Sequence, residues 1–462
     1  MIGVIGIIIS LGLLMYLAYK GVSVIILAPC LALLATAFGV FQGGSVHLLA
    51  TYTEQFMVSL GGYVKSYFPI FMLGAIFGKI MDDTGAAKSI AVAISGKLGK
   101  SRAILAVVIS CAIITYGGVS LFVAVFAIYP IGAELFKEAG IPKRFLPGAI
   151  ALGAFTFTMT AIPGTPQIQN AIPMKYFGTD AYAAPILGIV AAVIMFTGGI
   201  MWLTWRANIA MSGGEGYGVH EEHFIETEEE KTLPHFGLAL VPIFIVLIAN
   251  FVFSRFVYKD MEAGYLETQY NTTLSAVIGN WSLISALVIA VVASLIIFRK
   301  NFVSILQSLK DGVQGSFLAV MNTASEVGYG NVIAGLTAFA VVETFITGVS
   351  SNPLINEAVS SSVLAGITGS ASGGLSIALE TLGDTFLAEA SKMGINPEVL
   401  HRVSSVACGG LDTLPHNGAV ITLLGITGMT HKQSYLHIGM CTVIIPSIAC
   451  VTIIILGTMG IV

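Results

Sequence analysis

Charge is what this chain has least of. Only 10% of its 462 residues are charged, while 56% are hydrophobic. A soluble domain carries about 25% charged residues, and a soluble fold of this length could not hide so much apolar surface. Cysteine is also scarce. Cys30, Cys111, Cys408, Cys441 and Cys450 all lie in apolar runs, without CxxC or Cys/His spacing. They read as small buried residues rather than metal ligands or disulfides. There is no HExxH-type metal motif and no clustered nucleophile–base pair, so an embedded enzyme would lack its chemistry, and nothing calls for a cofactor. A net charge of -4 offers no basic face to nucleic acid. The N-terminus lacks a basic n-region and an A-x-A site, and reads as a first membrane helix rather than a cleaved signal. Barrel strands alternate over about 10 residues, whereas the apolar runs here last about 20, the length at which a helix crosses a bilayer. The expectation is an all-α polytopic protein whose partner is the lipid bilayer.

Glycine is abundant, with 52 residues, which suits close helix packing. Two apolar segments are interrupted by polar breaks: Thr158-Met-Thr-Ala-Ile-Pro-Gly-Thr-Pro-Gln-Ile168 and Cys408-Gly-Gly-Leu-Asp-Thr-Leu-Pro-His-Asn-Gly-Ala-Val420. Proline removes a donor and clashes one turn back, so neither helix runs through undisturbed. In hydrocarbon, broken backbone survives only where it packs in protein or lines a cavity. One such break in each half is the mark of an inverted-repeat secondary transporter.

The chain divides accordingly into a first repeat, 1–205, a linker, 206–236, and a second repeat, 237–462. The linker holds His220, Glu221, Glu222, His223, Glu226 and Glu228-Glu-Glu230. Nothing in it has tight ligand spacing, so it reads as solvated and cytoplasmic. Two stretches, 103–136 and 357–391, are interrupted by Tyr116-Gly-Gly-Val-Ser120 and Thr368-Gly-Ser-Ala-Ser-Gly-Gly374, and read as re-entrant hairpins. With both termini outside, the loops divide Lys and Arg 15 inside to 6 outside out of 21, with Arg402 in the outer set. That asymmetry fits the positive-inside rule in an inner (cytoplasmic) membrane, with roughly ten crossings, five per half. An odd number per half inverts one repeat relative to the other.

Three landmarks recur in order. Gly117-Gly-Val-Ser120 matches Gly373-Gly-Leu-Ser376 at an offset of 256, Gly140 matches Gly394 at 254, and Pro163 matches Pro415 at 252. Half-helix N-termini at the four interruptions carry exposed amides and the positive dipole end, which suit a carboxylate. No Arg or Lys lies in either break, so the anion is left to amides, hydroxyls and His416, which points to one small carboxylate.

The expected substrate contacts are Tyr116, Gly117, Gly118, Ser120, Thr160, Gly164, Thr165, Gln167, Ser370, Ser372, Gly373, Gly374, Thr413, His416 and Asn417. Asp412, His416 and Glu380 are the expected cation-coupling groups. Each has a plainer reading. Asp412 would cap the next half-helix, and Gln167 and Asn417 would satisfy broken backbone. The glycines would serve the hairpin tips or close packing, Glu380 would be a satisfied buried acid, and Tyr116 a core aromatic. Glu343 is a weaker proton candidate. Asp82, Asp83 and Lys88 sit where a helix should emerge into water.

Nearly the whole chain resembles the gluconate permease (GntP) family of the ion-transporter superfamily. The run Ile80-Met-Asp-Asp-Thr-Gly-Ala-Ala-Lys88 is similar to that family's acidic-Ser/Thr-Gly-Ala-Ala run, and Gly369-Ser-Ala-Ser372 to its Gly-Ser-Ala-Thr. The breaks differ: Ile162-Pro-Gly-Thr-Pro166 stands in place of a His-Pro-Gly-Pro-like sequence, and Thr413-Leu-Pro-His-Asn-Gly418 in place of an Asn-Asp-Pro-Gly-like one. The resemblance implies alternating-access uptake of an organic monocarboxylate by symport with a cation, a proton by default and sodium through hairpin hydroxyls as the alternative. The altered first break, bordered by Ala161 and Ile162, points away from gluconate to a shorter hydroxy acid such as 3-hydroxybutyrate. A homodimer is the oligomer the superfamily implies. The rival within transport is a cation/proton antiporter that uses Asp412 and Glu380.

Overall fold

The computed structural model describes residues 2–20, 22–39, 47–220, 233–415 and 417–462. The acidic part of the linker, 221–232, and His416 fall outside them. All secondary structure of the described residues is helical.

The first half opens with α1 (Ile2–Tyr19) and α2 (Val24–Ala37), followed by the long span α3 (Leu48–Asp83), which contains a π turn at Thr51–Phe56. Short α4 (Ala86–Leu98) then turns by 103° into the hairpin α5 (Ala103–Tyr116) and α6 (Leu121–Ala139). The broken segment is α7 (Leu146–Ala154), one turn of α8 (Phe157–Thr160) and α9 (Ile168–Phe177), and α10 (Pro185–Ser212) closes the half.

The second half follows the same order. It has α11 (Phe236–Val257), a short α12 (Gly264–Tyr270), α13 (Leu274–Ile297), long α14 (Ile305–Ala334) and short α15 (Phe339–Thr347). The second hairpin is α16 (Pro353–Thr368) and α17 (Ala371–Lys392). The second broken segment is α18 (Pro397–Leu411) and α19 (Gly418–Thr427), and α20 (His431–Thr458) ends the chain. Five helices, α3, α10, α11, α13 and α20, are each long and apolar enough to cross a bilayer. With the bent pairs and the broken segments, this is a multi-pass membrane protein.

Helix ends fall where their chemistry requires. Pro353 and Pro397 start α16 and α18, after Asn352 and Asn396, whose side chains accept from Leu354 N and Glu398 N. Proline at the first position and Asn at the cap are the favoured pair. Gly178, Gly369 and Gly428 end α9, α16 and α19 in the left-handed region, at φ +61°, +65° and +63°.

Those left-handed glycines correct the internal register. The turn of the first hairpin is at Gly118, φ +94°, and its counterpart is Gly369, at an offset of 251. Gly178 and Gly428 give 250. Gly373 and Gly374 are not tip residues; they lie in the first turn of α17. Their match to Gly117-Gly118 arose because close packing also selects glycine. A Cβ on Gly374 would overlap Ala365 of the other hairpin leg.

Arg402 also departs from expectation. It is 0% exposed, inside α18, and therefore marks no external loop. Lys143 of the inner set is buried as well, with Nζ 5.4 Å from the Tyr129 ring centroid. Each side of the charge count loses one residue. The long helices α3 and α14 pack along each other through glycine: a Cβ on Gly312 would come within 2.7 Å of Ile76 Cα. In a membrane, small residues of this kind let backbones approach.

Candidate functional site

The two breaks are held by the same device. Gln167 directly precedes α9 and Asn417 directly precedes α19, an offset of 250. Gln167 Nε2 donates to the carbonyls of Thr115 (2.7 Å) and Val119 (3.3 Å) at the first hairpin turn. Asn417 Nδ2 donates to the Gly369 carbonyl at the second (2.8 Å). The other end of the Asn417 amide accepts from Val420 N, 2.9 Å, and so starts α19. Each break thus satisfies the backbone of its own hairpin turn. Tyr116 adds a second tie, its hydroxyl donating to the Pro163 carbonyl at 2.8 Å. Gly118 lets that turn approach Pro166, where a Cβ would come within 2.8 Å of Cγ.

The first break is also held from behind. Arg402 donates from Nε and Nη2 to the Ala183 carbonyl (3.1 and 2.7 Å), and from Nη1 to the Thr160 carbonyl and Asn170 Oδ1 (3.0 Å each). Ser405 Oγ donates to the same Thr160 carbonyl at 2.9 Å. His401 meets Thr179 Oγ1 at 2.6 Å and Asn170 Oδ1 at 3.2 Å. These groups were missed because Arg402, near the start of the segment, reads as an external loop charge; the available signal was a His-Arg pair leading directly into an apolar run.

Between the breaks lies a small cavity, about 30 Å³ as space open to the centre of a water. That is room for one or two waters, less than a carboxylate substrate needs. Its wall holds Thr160, Asp412, Thr413 and Asn417 of the expected residues. It also holds Leu121, Gln169, Ala371 and Ala419, the first or second residues of α6, α9, α17 and α19. Four half-helix N-termini, two per half, therefore open onto one space. The positive dipole ends of these helices, whose first-turn amides Ser370 and Asn417 cap only in part, favour a negative charge there.

Two buried wall oxygens, Asp412 Oδ1 and Gln169 Oε1, have no hydrogen-bond partner among the described residues. Asp412 stands at the C-terminal end of α18, and the cap of α19 is Asn417. Capping therefore does not account for this acid, and a carboxylate at a helix C-terminus faces the unfavourable end of the dipole. Thr413 donates to Thr442 Oγ1 at 2.7 Å.

The remaining expected residues are placed elsewhere. Thr165 is buried and donates to the Thr158 carbonyl (2.7 Å). Gly164, φ +85°, packs beneath the Tyr182 ring. Gly117 packs on Ile243, and Ser120 completes the first turn. Ser370 caps α17 through Gly373 N (3.0 Å), and Ser372 lies 3.3 Å from Thr323 Oγ1. Glu380 accepts from the Tyr176 hydroxyl. Glu343 accepts weakly from Thr385 (3.4 Å). Lys79 pairs with Asp83 at 2.8 Å.

The comparisons with known proteins agree with this architecture. The chain is 46% identical over 453 residues to the uncharacterized transporter YxjC of Bacillus subtilis (strain 168), covering 95% of each. It is 27% identical over 201 residues to a gluconate permease of the same organism, covering 42% of this chain and 44% of that one. MtrF of Neisseria gonorrhoeae shares the fold, with a TM-score of 0.55 at 12% identity, covering 95% of this chain and 94% of that one. The model of the GntP family permeases matches residues 2–459, and the chain belongs to that family of transporters.

Proposed function

We propose that this protein carries a small organic monocarboxylate across the membrane together with a cation, by alternating access. The observation that carries the reading is the convergence of four half-helix N-termini, from α6, α9, α17 and α19, on one cavity. Amides at such ends bind carboxylate without a basic side chain. The Arg402 guanidinium, bonded to the carbonyl of the wall residue Thr160, adds positive charge one layer back. The wall hydroxyls of Thr160 and Thr413 already donate, to the Thr156 carbonyl and Thr442 Oγ1, and are left to accept, while Asp412 and Gln169 each present an unpartnered oxygen to pair with a substrate hydroxyl or proton. The cavity wall is otherwise apolar, with Leu121, Phe155 and Met159. That balance favours a short hydroxy acid such as 3-hydroxybutyrate over a polyhydroxylated sugar acid, although one relative matched over part of the chain is a gluconate permease. The cavity is smaller than any such ligand, so binding requires the wall to open.

The test is thermal unfolding of the purified protein with a panel of short carboxylates at two pH values. A ligand that binds only the folded state raises the melting temperature. The reading predicts a shift with one hydroxy acid that Asp412→Ala and Thr160→Val lose. If no carboxylate moves the wild-type transition, the reading fails.

A further inference from the structure

A second polar cluster lies outside the cavity, where α14 meets the second hairpin. Glu326 of α14 is 3% exposed, and its Oε2 has no hydrogen-bond partner among the described residues. No ion pair among the described residues includes it. The carboxylate lies against the first turn of α17, because a Cβ on Gly373 would overlap Oε2. Thr323, one turn earlier on the same face of α14, is 3.3 Å from Ser372 Oγ, and Ser372 Oγ is 3.5 Å from Ser370 Oγ. Two more buried hydroxyls, Tyr63 of α3 and Ser376 of α17, face each other nearby. Tyr63 is the titratable group that faces Glu326 from α3, and α17 presents only hydroxyls.

A buried carboxylate without a counter-charge is costly, and a buried set of oxygens with no nitrogen or sulfur suits a hard cation. The hydroxyl separations match the edge of an octahedron with metal–oxygen distances of about 2.4 Å, within the range of the larger hard cations. One carboxylate supplies one negative charge, which a monovalent ion balances.

We infer that Glu326, Thr323, Ser370 and Ser372 form a sodium site between α14 and the second hairpin. It shares the first turn of α17 with the central cavity. Ala371 faces the cavity while Ser370, Ser372 and Gly373 face Glu326. A bound ion would fix that turn, and with it one of the four N-termini offered to the carboxylate. The inference rests on the transport reading for its purpose but not for its detection.

The experiment is thermal unfolding of the full-length protein without carboxylate, titrating sodium to about 100 mM against choline and potassium at constant ionic strength. The expected result is a saturable, sodium-specific rise that Glu326→Gln abolishes. Thr323→Val should raise the half-saturating concentration about tenfold or more. Should Glu326→Gln fail to fold, Thr323→Val and Ser372→Ala carry the test. An equal sodium shift in the variants, no sodium shift in the wild type, or an equal potassium shift would overturn the assignment. So would a response of the wild type to pH alone that Glu326→Gln lacks, since the ion would then be a proton. The sodium result stands or falls independently of any carboxylate response.

Discussion

Arg402→Met is the perturbation whose cost the structure fixes best. Methionine keeps the length of the side chain and removes every donor. The Ala183 carbonyl loses both of its side-chain donors, at 3.1 and 2.7 Å. The Thr160 carbonyl keeps Ser405, and Asn170 Oδ1 keeps His401. One carbonyl is thus fully orphaned and two are weakened. An orphaned buried acceptor costs about 1–3 kcal/mol, and each lost bond to a charged donor about 1.5 kcal/mol or more. Relief of the buried guanidinium's desolvation offsets part of this. The net loss is about 3 kcal/mol, or roughly 3–6 °C in the melting temperature of a chain this long. Arg402→Lys should recover little, because a single ammonium cannot fork across Ala183 and Thr160. Ser405→Ala alone should cost about 1 kcal/mol, since Arg402 still holds the carbonyl. The double variant leaves Thr160 bare, so its loss should exceed the sum. A melting temperature for Arg402→Met within about 1 °C of the parent would refute the assignment of Arg402 as the clamp of the first break.

Four further outcomes are expected. Asn417→Ala removes both the cap of α19 and the tie to Gly369, so it should destabilise by about 2 kcal/mol and reduce uptake in vesicles. Gln167→Leu lacks the capping component and should cost about half as much by the same thermal assay. Gly369→Ala places a side chain at φ +65°, a strain of about 1 kcal/mol, whereas Gly373→Ala should cost more and weaken any sodium response, because its methyl overlaps Glu326. Outside the spans, Arg144 holds the Glu215 carboxyl below its usual range through hydrogen bonds of 2.6 and 2.8 Å. A carboxyl depressed in the fold contributes stability above its unfolded value of about 4.3 and loses it as pH falls below that. Glu215→Gln should therefore flatten the acid limb of the stability–pH curve and lower neutral stability by the same amount, which is small because the pair is largely exposed.

Both hairpins and both breaks were legible in the sequence because they violate its dominant rule. Glycine, proline and acid inside 20-residue apolar runs have no role in an uninterrupted membrane helix. The register of the hairpins was not legible. Gly373-Gly374 resembles Gly117-Gly118 in letters, but one pair answers to packing and the other includes a left-handed turn, and sequence records both demands as glycine. The convergence of Leu121, Gln169, Ala371 and Ala419 was foreseeable only as helix ends, since three of the four side chains are apolar. Arg402 and Glu326 were passed over for opposite reasons. Arg402 near the start of a segment reads as a loop charge. Glu326 follows Asn322, Thr323 and Ser325, and so reads as part of a polar patch rather than as an acid in hydrocarbon.

The hydrogen bonds also bear on which parts would move as one. Gln167 ties the first break to its own hairpin, Asn417 ties the second, and Arg402 and Ser405 of α18 bind the first break. The cavity wall is therefore cross-linked across both halves through these side chains. Links from this unit to the long helices are fewer. Tyr67 of α3 donates to the Ile172 carbonyl at 3.1 Å, and Thr323 of α14 meets Ser372 at 3.3 Å. Moving the unit along α3 and α14 would break these bonds, together with those of Tyr63 to Ser376 and Glu326 to Ser370, and leave the other set intact. Glu326 lies on that seam. An ion there would oppose sliding while bound and permit it once released, so a sodium site and a moving boundary are the same physical claim. Cross-linking Gly330 of α14 to Ile377 of α17 as a cysteine pair, at positions whose Cβ atoms would lie 3.2 Å apart and outside the ion cluster, should then abolish transport and leave carboxylate binding to the purified protein intact. Loss of binding together with transport would place the boundary elsewhere.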